Sequence, residues 1–256
     1  MKIILTGCTG FIGSEMLKQC VAHHYIDHIH VLTRRPLDNE FSHKKVTQHL
    51  HEDFESYPED LMGRLRDEGV EACIFAIGGK VQQFKNLDEA RKVGVNYPAA
   101  AAEAFAAHLA SALEPYEGYP KNPPKAGQRS FPFRFVYISG AGAEQDQFKK
   151  LWFANDTRKI KGAAEKAIFG VSANAEEKGG YKCFEAIALR PGAVLKGHSD
   201  ATTTLITEAV IPSIAVDRLA RTAIKCAFDG GPHGKTILEN KDCLGEDWAM
   251  VNSLSL

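Results

Sequence analysis

Three glycines within eight residues are the first feature with chemical consequence. The segment TGCTGFIG, residues 6–13, carries Gly7, Gly10 and Gly13. In such a turn the first glycine allows a tight bend, the second lets the backbone approach a pyrophosphate, and the third lets a helix pack close to a strand. Thr9, Phe11 and Ile12 belong to the same turn. Unpaired N–H groups and the positive end of a helix dipole would face the phosphates. The spacing is G-x-x-G-x-x-G, so a plain glycine-rich turn is the alternative unless a strand precedes it and a helix follows.

Both conditions are met by pattern. KIILTG is a short apolar strand, and FIGSEMLKQCVAH places Ile12, Met16, Leu17, Cys20 and Val21 at helical spacing. HIHVLTR reads as a second strand and KVTQHL as a weaker third. PEDLMGRLRDEG reads as a helix with Pro58 and acids in its first turn and Gly69 past its end. EACIFAIGG is a fourth strand, followed by an Ala-rich helix from about Leu87 to Leu113. FRFVYISGAG is a fifth strand, FKKLWFANDTRKIKGAAEKAIFG mostly helix, and CFEAIALRPG a sixth strand. VDRLARTAIKCAFDGG is a last amphipathic helix and KTILEN a last strand.

Strands alternating with long helices imply βαβ units and a parallel sheet. The near-continuous apolar character of the early strands fits a sheet covered on both faces. The expected fold is therefore α/β, a doubly wound parallel sheet forming a single domain over residues 1–256. The stretch 114–132, with five prolines, is expected as an exposed loop before the fifth strand. A small substrate region is expected from about 140–156 and 193–214.

The end of the second strand addresses which dinucleotide would bind. An NAD site would place Asp or Glu there to accept from the ribose 2′-hydroxyl. Here the residues are Thr33, Arg34 and Arg35, and the nearest acid is Asp38. An arginine can pair with a 2′-phosphate through charge-assisted hydrogen bonds, which favours NADP. One of the two is expected to be a solvated loop residue, and Arg34 is the preferred contact.

The chain has 256 residues with 31 Lys plus Arg against 32 Asp plus Glu, for a formal charge of −1. That balance gives no support for nucleic-acid binding through bulk charge. No apolar run approaches the ~20 residues needed to span a bilayer, so no membrane partner is expected. The start, MKIILTGCTG, has too short an apolar run for a signal peptide. The six cysteines form no C-x-x-C and no zinc-finger spacing, and read as free thiols in a reducing compartment. A cytoplasmic protein acting on a small-molecule substrate is the simplest account.

Taken together, these segments resemble the short-chain dehydrogenase/reductase superfamily in its atypical or extended branch. The likeness is nearest to small NAD(P)-binding epimerase-like proteins and the Tat-interacting oxidoreductase homologues. TGCTGFIG is similar to that branch's glycine motif. IFAIGG resembles the fourth-strand end near the adenosine ribose, which implies cofactor contacts at Ala76, Ile77 and Gly78. VGVNYP resembles the helix bearing a structural asparagine, here Asn96. YISGAG resembles the fifth-strand end with the active-site serine, which implies that role for Ser139. KIKGAAEKAIF resembles the lysine helix, which implies a ribose-binding role for Lys161. ALRPGAVL resembles the sixth-strand end passing the nicotinamide, at Pro191, Gly192, Ala193 and Val194.

One position departs from the family. Its signature is Y-x-x-x-K, and four residues before Lys161 stands Thr157. A tyrosine of pKa about 10 is lowered by a neighbouring ammonium and can exchange a proton with the substrate oxygen. An aliphatic hydroxyl has no accessible anion there and is a poor general acid. Tyr137 precedes Ser139 on its strand and is expected to serve packing.

The leading function is an NADP-dependent oxidoreductase of the atypical short-chain class, acting on a small carbonyl or alcohol. The alternatives are a non-catalytic NADP(H)-binding regulatory module and a non-redox isomerase or lyase on the same fold. Lesser candidates are Asp53, near an adenine or merely solvated, and Cys8, a packing residue. Phe148, Trp152 and Phe153 would line an apolar substrate pocket or form the core face of a helix start, and His198 is a possible acid or base. His49 and His51 alternate on one strand face, but a metal needs more ligands, and no metal site is expected.

Overall fold

The computed structural model describes residues 1–38, 41–125, 127–196 and 212–244. Its centre is a seven-stranded sheet. In chain order its strands are β1 (Lys2–Thr6), β2 (His28–Thr33), β3 (Val46–Leu50), β4 (Ala72–Phe75), β5 (Phe133–Ile138), β8 (Phe184–Arg190) and β11 (Ile237–Glu239). They lie in the order β11-β8-β5-β4-β1-β2-β3. Every adjacent pair is parallel. The order reverses beside β1, between β2 and β4, which is where ligands bind in doubly wound sheets.

Helices cover both faces, which is why the central strands are apolar at successive residues. On one face lie α2 (Glu59–Asp67), α4 (Tyr97–His108) and α5 (Asn155–Ala173). Met62, Leu65, Phe105, Ala164 and Ile168 pack there against Ile4, Phe75, Phe135 and Tyr137. The other face takes α1 (Phe11–Ala22) and the helix Val216–Asp229, with Met16, Cys20, Leu219 and Ala223 against Leu5, Val31, Ile74 and Val136.

Three expectations need correction. The Ala-rich helix from Leu87 to Leu113 is not uniform: α3 (Leu87–Arg91) runs into a π-helical segment, Lys92–Asn96, before α4. Pro98 has no N–H, and its ring would crowd the carbonyl four residues back, so the turn before it widens. The helix expected from Phe148 begins only at Asn155. Ala154 before it has φ 47, and Phe148, Trp152 and Phe153 are exposed, so they form no core face. Two small pairs were not anticipated. The hairpin β6 (Glu177–Lys178) and β7 (Tyr181–Lys182) is antiparallel, while β9 (Ala193–Leu195) runs parallel to β10 (Ser213–Ala215).

The stretch 114–132 contains neither helix nor strand among its described residues. It is anchored by aromatic rings: Tyr119 meets Tyr116, Phe131 and Tyr181 edge-on. All six cysteines are buried and unpaired. No helix among the described residues is long and apolar enough to cross a membrane.

Candidate active site

The glycine turn joins β1 to α1 at the carboxyl edge of the sheet. Gly7 has φ 74, and a Cβ there would lie 2.6 Å from the Ala76 carbonyl oxygen, so only glycine fits between β1 and the end of β4. A Cβ on Gly13 would stand 2.1 Å from the Gly7 oxygen; its absence lets α1 pack onto the turn. Gly10 is different. An added Cβ would meet only the Gly7 oxygen, at 3.3 Å, and otherwise open space. Gly10 is the N-cap of α1, makes no side-chain cap, and no acid occupies the first turn. The leading N–H groups of α1, at Phe11, Ile12 and Gly13, are therefore presented beside a bare backbone. Such an arrangement can hold a pyrophosphate.

Cys8, within this turn, is buried, and burial pushes its thiol up to about 12. It packs and does not react. At the end of β2, the Thr33 hydroxyl donates to the Arg35 carbonyl at 2.7 Å. Arg34 and Arg35 are both exposed, and neither forms an ion pair among the described residues. Asp53, after β3, is exposed and accepts from the Glu55 N–H at 3.1 Å.

Lys161 projects from α5 towards the ends of β4 and β5. Its ammonium donates to the Ile138 carbonyl at 2.9 Å and lies 4.9 Å from the centre of the Tyr137 ring. Gly78, with φ 157, lies against the lysine: a Cβ there would stand 2.9 Å from Lys161 Nζ, which would have to move aside. Burial lowers the Lys161 pKa to about 8, against the opposing pull of Glu165. Thr157 is one helical turn earlier, and its hydroxyl accepts from the Val81 N–H at 3.2 Å. Ile77, Gly78, Thr157 and Lys161 therefore belong to one region.

Ser139 follows β5 and is buried. Its hydroxyl donates to Glu165 Oε1 at 2.6 Å. Glu165, fully buried, also accepts from Arg190 Nε at 2.9 Å, Arg190 Nη2 at 2.6 Å and Gln145 at 3.1 Å. Arg190 reaches Glu239 as well, at 2.8 Å. Sequence reasoning missed this network. The available signal was an acid one turn beyond Lys161 and an arginine closing an otherwise apolar strand, both too charged to be buried unpaired.

After β8, Pro191 accepts from the Ala141 N–H at 2.8 Å, and the Gly192 N–H donates to Asn240 at 2.7 Å. A Cβ on Gly192 would sit 1.7 Å from the Pro212 oxygen, so the backbone there is closely packed. Ala193 and Val194 open β9, with Ala193 exposed. Asn96 stands apart from this region; it donates to Glu55 at 2.8 Å and ties the π segment to the loop after β3.

Tyr137 is buried with its hydroxyl unpartnered, and burial raises its pKa, so it packs as expected. His49 and His51 do not converge. His51 packs on Phe54 and Tyr57, while His49 Nε2 lies 3.1 Å from His30 Nδ1. His198 and most of the second substrate segment lie outside the described residues.

No protein-family model matches the chain. It is 28% identical over 178 residues to leucinostatins biosynthesis cluster protein T of Purpureocillium lilacinum, covering 70% of this chain and 51% of that protein. It is 30% identical over 108 residues to protein FMP52, mitochondrial, of Debaryomyces hansenii, covering 40% and 44%. The chain thus spans about half the length of the curated relatives it matches. Among solved structures, yeast methylglyoxal/isovaleraldehyde reductase Gre2 complexed with NADPH matches with TM-score 0.61 and 14% identity, over 93% of this chain and 78% of that one. MoeE5 in complex with UDP-glucose and NAD matches with TM-score 0.60 and 16% identity, over 93% and 75%. WbmF of Bordetella bronchiseptica in complex with NAD+ matches with TM-score 0.60 and 13% identity, over 96% and 77%. What these structures share with the chain is the fold.

Proposed function

We propose that this chain, which has the Rossmann-like fold of NAD(P)-binding epimerases and reductases, is an NADP-dependent oxidoreductase of the atypical short-chain class. Its substrate in this reading is a small carbonyl or alcohol. The carrying observation is the convergence of Lys161, Thr157 and Gly78 at the same sheet edge as the bare glycine cradle. Two neighbours support the cofactor: Gre2 is complexed with NADPH and MoeE5 with NAD. NADP is favoured because Arg34 and Arg35, exposed and without an ion pair among the described residues, offer guanidinium groups where a ribose 2′-phosphate would lie. The unpaired buried thiols fit a reducing, cytoplasmic setting.

When bound, a nicotinamide supplies or accepts a hydride at the substrate carbon. The chain's part is placement. The α1 N-terminus would hold the pyrophosphate, and Lys161 would hold ribose hydroxyls. The Ser139 oxygen, its proton committed to Glu165, keeps lone pairs free to orient a substrate hydroxyl. Thr157 cannot replace the tyrosine as an acid, so the proton has to come from water or from the substrate loops.

A second reading rests on that same position. With Thr157 bonded to Val81, the site lacks a helix-borne phenol, which also suits a module that binds NADP(H) without turnover. Mixing the protein with NADPH and a panel of aldehydes and ketones, and following absorbance at the reduced-nicotinamide band, separates the two. Substrate-dependent oxidation supports the oxidoreductase. Tight binding with no oxidation across the panel supports the module, and no binding of either dinucleotide rejects both.

A further inference from the structure

At the opposite edge of the sheet from the glycine turn lies a cluster with no part in dinucleotide chemistry. His28 and His30 alternate at the start of β2 and so share a face. Glu68 closes α2 above them. Glu68 Oε2 is 3.4 Å from His30 Nε2. One ligand atom from each of His28, His30 and Glu68 lies within 4.8 Å of the other two.

His30 is the informative member. Its side chain is 0% exposed, and its Nε2 has no hydrogen-bond partner. Leaving a buried imidazole nitrogen unsatisfied costs ~1–3 kcal/mol. The other ring nitrogen is already engaged, 3.1 Å from His49 Nε2. Two imidazoles 3.1 Å apart share one proton. In the tautomer with that proton on His30 Nδ1, Nε2 presents a lone pair to the Glu68 carboxylate; in the other, an Nε2–H faces it at 3.4 Å without making a hydrogen bond. In the first tautomer the two electron-pair donors repel each other unless a cation stands between them, and in neither is the buried Nε2 satisfied by the chain.

The spacing fits such a cation. Ligand atoms ~2.0–2.1 Å from a tetrahedral zinc lie ~3.3 Å from one another. The His30–Glu68 separation already matches that edge. Glu68 is half-exposed, and His28 only partly buried, so the third ligand can close by side-chain rotation. The outer partners are also present. Thr47 Oγ1 lies 2.8 Å from His28 Nε2, and His49 fixes the His30 ring. Lys2 donates to the Glu68 carbonyl at 2.7 Å, anchoring the helix end while leaving its carboxylate to the histidines. Arg64, the other nearby cation, pairs with Asp60.

We propose that His28, His30 and Glu68 form a divalent transition-metal site of zinc type, with water in the fourth position. Two imidazoles and one carboxylate suit zinc or cobalt better than magnesium or calcium. The site joins β2 to the end of α2, away from the cofactor edge, so its role is to staple these elements. It stands independently of the proposed oxidoreductase function.

The test uses the untagged full chain, stripped with chelator, titrated with cobalt(II) chloride and back-titrated with zinc chloride. The expected result is one equivalent of saturable cobalt binding with the visible bands of tetrahedral coordination, displaced by zinc, and a rise in Tm with zinc. H28Q and E68Q should each weaken binding at least ~10-fold, about 1.4 kcal/mol or more, with NADPH affinity and circular dichroism unchanged. H30Q should abolish binding if it folds; the other two variants decide the matter if it does not. No saturable binding overturns the site. So does stoichiometric binding that H28Q and E68Q leave unaltered, since the metal would then lie elsewhere.

Discussion

Ser139 and Glu165 meet through a 2.6 Å hydrogen bond that joins the end of β5 to the middle of α5. Because Glu165 is also held by both arms of Arg190, the serine is fixed in direction by a buried ion pair. Ser139→Ala removes one of several bonds to Glu165 and should cost ~1 kcal/mol of stability. Glu165→Gln takes from Arg190 the buried one of its two carboxylate partners, leaving it only the half-exposed Glu239, and should cost ~3 kcal/mol. Urea unfolding of both variants checks the contrast. If Glu165→Gln is as mild as Ser139→Ala, the pair does not organise this edge.

The three glycines should separate by experiment. Gly10→Val has little to clash with in the chain itself, so it should fold normally and lose NADPH binding at least ~100-fold, about 2.7 kcal/mol. Gly13→Ala meets the Gly7 oxygen and should lose ~1–3 kcal/mol of stability. Calorimetric binding and thermal unfolding read the two effects. Unchanged NADPH affinity in folded Gly10→Val would remove the turn from the site.

Cofactor choice follows from the residues after β2. NADPH should bind at least ~10-fold tighter than NADH, about 1.4 kcal/mol. Raising salt should narrow the gap, since the arginines are exposed. Arg34→Asp should reverse the preference. Equal affinity of the wild type for both dinucleotides would show that neither arginine reads the ribose.

Lys161 predicts a pH profile. Its folded-state pKa, about 8, lies below the ordinary 10.5. Between those values the unfolded chain holds the extra proton, so the lysine's contribution to stability rises with pH across that window. Affinity for the anionic cofactor should move the other way, weakening as the ammonium is lost near pH 8. Lys161→Met should flatten that binding profile. A wild-type profile that is flat from pH 7 to 9 in binding titrations would take Lys161 away from the cofactor.

Thr157→Tyr places a phenol one helical turn before Lys161, as in the Y-x-x-x-K pattern that the sequence resembles. General acid catalysis contributes typically ~100-fold or more. A gain of ~10-fold or more in kcat towards a simple aldehyde is expected even in an imperfect geometry, read as a change in transition-state free energy. The Val81 N–H loses its acceptor, so a small drop in Tm should accompany it. Wild-type turnover and NADPH affinity in both this variant and Lys161→Ala would show that α5 does not border the reacting centre.

The sheet and its glycine turn were legible because their signals are local. Apolar runs mark β1, β2, β4, β5 and β8, and the glycine turn sits between its strand and helix as read. What stayed hidden depends on distant partners. Glu165 becomes interpretable only once β8 brings Arg190 beside it. His28 and His30 read as strand residues until α2 delivers Glu68. The exposed aromatics at 148–153 show the limit of periodicity. Their apolar side chains continue the α5 pattern backwards, yet Ala154 takes a left-handed conformation and the helix stops there. The backbone conformation of Ala154, not the apolar pattern, marks that boundary.

The six buried thiols turn the molecule into its own reporter of opening. Cys8, Cys20, Cys226 and Cys243 lie in the layer of α1, whereas Cys73 and Cys183 lie in the layer of α2, α4 and α5. None can meet a modifying reagent until the packing above it separates. The rate at which each is labelled under native conditions then measures the free energy of exposing its own layer. If all six label at one rate, the two layers come apart together; two rate classes would mean that one side of the sheet breathes while the other holds.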